Sequence, residues 1–160
     1  MTLHIRPAEK RDAATIFSFI CQLAEYEKAL HEVKTTPAEI EATLFGERAA
    51  TEALICESNG TPIGFAVFFS SYSTWLGRNG IYLEDLYVAP ECRGQGAGKA
   101  LLKHIAQLAV ARGCGRLEWS VLDWNQPAID VYNRLGGEPQ AEWIRYRLEG
   151  DSLHNMATAQ

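Results

Sequence analysis

The residues of this chain best placed to do chemistry form one run: the strand-like Tyr82-Leu83-Glu84-Asp85-Leu86-Tyr87-Val88, then Arg93-Gly94-Gln95-Gly96-Ala97-Gly98-Lys99 at the start of a helical pattern. Three alternate glycines remove side chains where backbone N–H groups must crowd around one ligand. The helix behind them adds the positive end of its dipole. Such a turn binds an anion, and a pyrophosphate fits it. Just upstream, Glu84 and Asp85 interrupt an otherwise apolar strand, where consecutive side chains face opposite sides. At least one of these carboxylates therefore faces a cleft, or else an arginine across the sheet in a structural ion pair.

Spacing separates the glycine loops known to hold phosphates. A dinucleotide fingerprint needs glycine or alanine three residues after its second glycine, where this chain has Lys99 or Leu101. A Walker A loop needs glycine at Arg93 and serine or threonine at Ala100. The pattern that fits is R/Q-x-x-G-x-G/A, read as Arg93-Gly94-Gln95-Gly96-Ala97-Gly98. It resembles the acyl-CoA pyrophosphate loop of the GNAT superfamily of N-acetyltransferases. With strand 82–88 it is similar to the spermidine/spermine (diamine) acetyltransferase subgroup. Further pieces agree in order: Leu23-Ala24-Glu25-Tyr26-Glu27, Gly64-Phe65-Ala66, Trp124-Asn125-Gln126-Pro127-Ala128-Ile129, Tyr132 and Trp143.

The resemblance implies an enzyme that moves an acetyl group from acetyl-CoA directly to a primary amine of a small cationic substrate, a polyamine or a lysine-like diamino acid. A primary amine with a pKa of about 10 is mostly protonated at neutral pH, and the departing thiolate needs a proton, so one base and one acid are wanted. By position in the resemblance Glu84 is the base, acting through an ordered water, and Tyr132 the acid. Leu86, Tyr87, Val88, Arg93, Gly94, Gln95, Gly96, Ala97, Gly98 and Lys99, with Asn125, Pro127 and Ala128, are the implied coenzyme contacts. Tyr26, Glu27, Trp75, Glu84, Asp85 and Glu142 are the implied amine site, with carboxylates for ammonium groups and aromatic faces for a methylene chain. Taken singly, each has an ordinary alternative: Tyr132 a core aromatic spaced with Ile129 and Leu135, Asn125 a helix cap, Glu27 an exposed helix end. Two other functions stay open, acetylation of a protein or peptide amine and a non-catalytic acyl-CoA-binding module. A homodimer is implied by the subgroup.

These residues need elements to hold them. Leu3–Arg6 reads as a first strand, and Ala13, Ile16, Phe17, Ile20, Leu23 and Ala24 recur at helical spacing from about Lys10 to Tyr26. Thr36-Pro37-Ala38-Glu39 opens a second helix with a cap, a first-turn proline and a capping box, stopped at Gly46. A hairpin turns at Ser58-Asn59-Gly60-Thr61, followed by strand Ile81–Val88. A helix runs from about Gly98 to Arg112, a strand from Arg116 to Leu122, a helix from Gln126 to Leu135 and a last strand from Trp143 to Leu148. The order β-α-α-β-β-β-α-β-α-β is that of the GNAT fold, an α/β (α+β) class with a mixed, mainly antiparallel sheet flanked by helices. Residues 1–150 are read as one domain and 151–160 as a frayed tail.

Composition narrows the function classes. The chain has 160 residues, 47% hydrophobic and 22% charged, and a net charge of −5. It has no basic stripe, which argues against nucleic acid, and no apolar run near the roughly 20 residues of a membrane span. Its start lacks a signal-peptide core, so the expected compartment is the cytoplasm. Cys21, Cys56, Cys92 and Cys114 are scattered without C-x-x-C pairs, and His4, His31, His104 and His154 form no set with them, so no metal is expected.

Overall fold

The computed structural model describes residues 2–160, which form two compact units divided between Leu122 and Asp123. The first holds a five-stranded sheet. Its strands are β1 (Leu3–Pro7), β2 (Thr51–Ser58), β3 (Thr61–Ser73), β4 (Arg78–Val88) and β5 (Leu117–Trp119), in spatial order β1-β2-β3-β4-β5. The first four pair antiparallel, and β5 lies parallel to β4. The predicted hairpin turns at Asn59 and Gly60, both at positive φ (51° and 82°), the conformation of the two-residue turns whose twist matches flanking strands.

Side-chain alternation builds a core on each face. On one, Leu54, Cys56, Ala66 and Phe68 pack under helix α3 (Ala97–Ala111), which contributes Leu101 and Ile105. On the other, Ala53, Ile55, Phe65 and Val67 pack under helix α1 (Ala13–Tyr26), which contributes Ile16 and Phe19, with helix α2 (Pro37–Phe45) alongside. The Thr36 hydroxyl caps α2 by accepting the Glu39 N–H (3.2 Å), while the Glu39 carboxylate faces the Thr35 hydroxyl at 3.5 Å. Arg6 on β1 grips Asp12 below α1 through two bonds of 2.7 and 2.9 Å, and Arg112 at the end of α3 holds Glu52 on β2 through two of 2.7 and 2.8 Å.

The second unit, residues 123–160, contains helices α4 (Gln126–Arg134) and α5 (Gly150–Thr158). Two expectations are corrected here. The last strand, predicted for Trp143–Leu148, is not formed: residues 143–148 carry no regular secondary structure. A strand exists only through a ladder to a neighbour, and alternation alone cannot supply one. The tail, predicted to be frayed, is helical from Gly150 to Thr158, where Leu153 and Met156 share one helical stripe. At β5 the alternation extends from Arg116 to Leu122, but only Leu117–Trp119 finds a partner, on the β4 side.

Candidate active site

Strand β4 delivers the loop. After Val88 a short turn, Pro90–Cys92, leads to Gly94 and Gly96 at φ of 86° and 81°, and Gly96 is the residue from which α3 starts. The Ala100 N–H closes the first turn on the Gly96 carbonyl (2.9 Å), so the N–H groups of Ala97, Gly98 and Lys99 have no intrahelical acceptor. A Cβ built on Gly94 or Gly96 meets no atom within 4 Å, so both glycines open onto free space at the helix N-terminus. One built on Gly98 would touch Leu86 (3.7 Å) and Val88 (3.8 Å), which seats the loop against the end of β4. The Gln95 side-chain oxygen is buried in the loop with no hydrogen-bond partner. Free N–H groups, an open cradle and an orphaned acceptor fit a coenzyme carrying a pyrophosphate and amide groups.

The cations of the loop divide. Lys99 is exposed on the first turn of α3. Arg93 folds back instead: its Nε donates to the Val88 carbonyl (3.0 Å), and its guanidinium lies over the rings of Tyr26 (5.5 Å) and Tyr87 (5.6 Å). Tyr26, expected at the amine site, thus helps to hold the loop. Tyr87 is buried against Phe19 and Phe65 and donates its hydroxyl to Gln22 (3.0 Å), so only its backbone is available to a ligand on the loop side.

Glu84 occupies a β-bulge. Val67 lies opposite Asp85 and Phe68 opposite Leu83, so Glu84 is an extra residue on β4. Before the bulge Ile81 and Leu83 face α3; after it Leu86 and Val88 do. Strict alternation would have put Asp85 on the α3 face with Ile81 and Leu83. The bulge turns it to the face of Tyr87 and α1 and leaves the Glu84 side chain exposed. Bulges re-aim side chains, often beside active sites. Sequence reasoning missed this one, though the slip from Ile81 and Leu83 to Leu86 and Val88 signals it.

Asp85 is the electrostatically unusual group. Burial, reinforced by the negative charges of Glu84 and Glu27, pushes its carboxyl up to about 6. Burial also raises Glu27, at the end of α1. A carboxylate in this state is short of positive charge. Glu84, Asp85 and Glu27 are thus brought together electrostatically, the first two on β4, the strand that leads into the glycine loop. Trp75 is not among them: it is 82% exposed in the β3–β4 turn, some 20 Å back along the strand from Glu84.

The remaining predicted residues lie in the second unit. The Asn125 side chain caps α4 by accepting the Ala128 N–H (3.4 Å), Pro127 stands in the first turn, and Tyr132 is half-buried on the same helix. The Gly137 N–H closes the end of α4 on the Tyr132 carbonyl (3.0 Å). Glu142 is exposed in the turn before residues 143–148.

Known proteins match both sequence and fold. A thialysine N-epsilon-acetyltransferase from Bos taurus is 40% identical, with 96% of each chain covered. An L-ornithine N5-acetyltransferase from Arabidopsis thaliana is 29% identical over 96% of this chain and 87% of its own. Among solved structures, an integron cassette protein from the mobile metagenome of V. cholerae superimposes with a TM-score of 0.83 over 99% of both chains at 23% identity, a likeness of fold. The family model described as "Acetyltransferase (GNAT) family" matches residues 19–137, from the middle of α1 through the glycine loop to the end of α4, and this chain belongs to that family.

Proposed function

We propose that this N-acetyltransferase acetylates a primary amine of a small substrate carrying a second cationic group, a diamino acid or polyamine. The observation that carries the reading is Asp85: a half-buried carboxylate pushed up to about 6, flanked by Glu84 and Glu27, on the strand whose Leu86 and Val88 seat the glycine loop. An ammonium group beside Asp85 would supply the missing positive charge. The names of the bovine and Arabidopsis relatives, which refer to diamino acids, support the same substrate class.

Acetyl-CoA supplies the activated acyl group and a thiolate leaving group. The N–H groups at the start of α3, with Gln95 and Lys99, hold its pyrophosphate, and the backbone of Leu86 to Val88 lies along its pantetheine. Asn125, Pro127 and Ala128 are further contacts. Asp85 and Glu27 hold the distal cation, and Tyr26 and Glu142 belong to the wider amine site. Glu84 removes a proton from the ammonium through water, so that the free nitrogen attacks the thioester carbon. Tyr132 gives its phenolic proton to the sulfur as the carbon–sulfur bond breaks, and the second proton that the attacking nitrogen sheds in becoming an amide returns to the tyrosinate through water. In this reading residues 1–150 form the catalytic domain, no metal takes part, and the protein works in the cytoplasm as a homodimer.

A panel assay tests the substrate class: acetyl-CoA consumption with thialysine, ornithine, spermidine, putrescine and a lysine peptide. Diamino acids or polyamines are expected to give the highest kcat/KM. Preference for the peptide would identify a protein acetyltransferase. Coenzyme binding with no turnover on any amine would identify a binding module.

A further inference from the structure

We infer, on the proposed role of Asp85 and Glu27 as the seat of the second cation, that Arg93 receives the carboxylate of an amino-acid substrate. The amine site is then built for the head group of a diamino acid rather than for a polyamine.

The end of β4 has two faces, and the glycine loop is seated on one of them. Leu86 and Val88 pack with α3, and Gly98 lies against both. Tyr87, between them, packs instead with Ile16 and Phe19 of α1. Arg93 follows Tyr87. Its guanidinium lies 5.6 Å from the centre of the Tyr87 ring and 5.5 Å from that of Tyr26, the last residue of α1. The loop's arginine is thus on the opposite face from Gly98, the face to which the bulge turns Asp85.

Arg93 keeps most of its donors there. A guanidinium carries N–H groups at Nε and at both Nη atoms, and here only Nε donates, to the Val88 carbonyl at 3.0 Å. Arg93 makes no ion pair among the described residues, although the charges of Glu91 and Glu25 reach Tyr87 beside it. Two aromatic faces and one carbonyl hold the planar fork in place. Its remaining edge matches a carboxylate in two parallel charge-assisted bonds.

Arg93 and Asp85 also leave each other unneutralised. The charges that act on Asp85 are the negative ones of Glu84 and Glu27. Asp85 precedes Tyr87 by two residues, roughly 7 Å along the strand. A zwitterionic head group with its ammonium on Asp85 or Glu27 and its carboxylate on Arg93 bridges a gap of that order, since each of its two bonds spans about 2.8 Å. Its side-chain amine is left to be acetylated. A polyamine offers ammonium groups alone and would leave the Arg93 fork unmatched.

Calorimetry on the CoA-loaded protein at pH 7 reads this site without turnover. The ligands are ornithine, putrescine, which is ornithine without its carboxylate, and butylamine, which also lacks the second ammonium. Ornithine should bind roughly tenfold more tightly than putrescine, the scale of a hydrogen-bonded charge pair, and Arg93→Gln should bring that ratio to about one. No ornithine binding, equal wild-type affinities, or a ratio unchanged in Arg93→Gln would overturn the inference. A fall in CoA affinity with the ratio intact would return Arg93 to the pyrophosphate. If Arg93→Gln fails to fold, the wild-type Arg93 Nε–H resonance decides. It should shift more with ornithine than with putrescine, and equal shifts or none would overturn the assignment. Putrescine binding no tighter than butylamine would count instead against Asp85 and Glu27 as the cation seat, with the ornithine-to-putrescine ratio still deciding Arg93.

Discussion

At the residue scale the balance of charge at Asp85 governs the account. Its carboxyl titrates at about 6, above the ordinary 3.8, because burial and two neighbouring carboxylates oppose ionisation. The folded protein therefore binds this proton more tightly than the unfolded chain does, so the stability that protonated Asp85 contributes is fully present below about 3.8 and is lost as pH rises from there through about 6. Asp85→Asn should accordingly raise Tm at pH 8 and change it little at pH 4, as thermal unfolding at the two pH values would show. In the proposed reading function has the opposite sign: protonation would remove the charge that holds the second cation, so the apparent KM for a diamine should rise as pH falls below 6, and less so in Asp85→Asn. Tyr132→Phe tests the general acid proposed for the chemical step. It should retain acetyl-CoA affinity by calorimetry and lower kcat roughly 10²-fold, the scale of a lost general acid. The sequence makes both carboxylates conspicuous but does not tell which is buried, since that depends on α1 packing over one face of the sheet.

At the element scale the loop and the bulge do separate work. Gly96 at φ 81° begins α3 in a conformation that a β-branched residue resists, and its missing Cβ leaves the anion cradle open. Gly96→Val should weaken acetyl-CoA binding at least tenfold by calorimetry while far-UV circular dichroism stays native. The bulge gives a sharper test. Deleting Glu84 joins Ile81, Leu83, Leu86 and Val88 into one uninterrupted alternation and leaves Asp85 on the face of Tyr87, so the variant should fold with Tm near wild type yet lose turnover if Glu84 is the base proposed. The glycine loop was legible in the sequence because its function depends on local backbone conformation. The bulge was not, because it is a relation between β4 and β3. The hairpin at Asn59-Gly60 and the Thr36 cap were likewise local and legible, whereas a strand at 143–148 would depend on a ladder to a neighbour, and alternation alone does not supply one.

At the scale of the whole molecule, two ion pairs tie helices to the sheet, and both depend on pH. Arg6 beside Asp12, and Arg112 beside Glu52, hold those carboxyls below their usual range. Each contributes stability above the unfolded carboxylate pKa and loses it as pH falls through the depressed folded value. The Arg6–Asp12 pair is the more buried, so Asp12→Ala should cost on the order of 3 kcal/mol at pH 7 in denaturant unfolding, and the cost should shrink toward pH 2. Family membership and fold order were legible across nearly the whole chain, since loop, strand and the Trp124-Asn125 to Tyr132 stretch recur in sequence order. The proposed amine site was visible in sequence as a set of carboxylates, whereas the desolvation that raises Asp85 depends on tertiary packing. The most direct measurement is therefore kcat/KM at pH 7.5 for ornithine against a monoamine of equal length, in wild type and Asp85→Asn. The account predicts at least tenfold preference for ornithine in wild type, largely lost in the variant. Equal rates on both amines, or a preference untouched by the substitution, would contradict it.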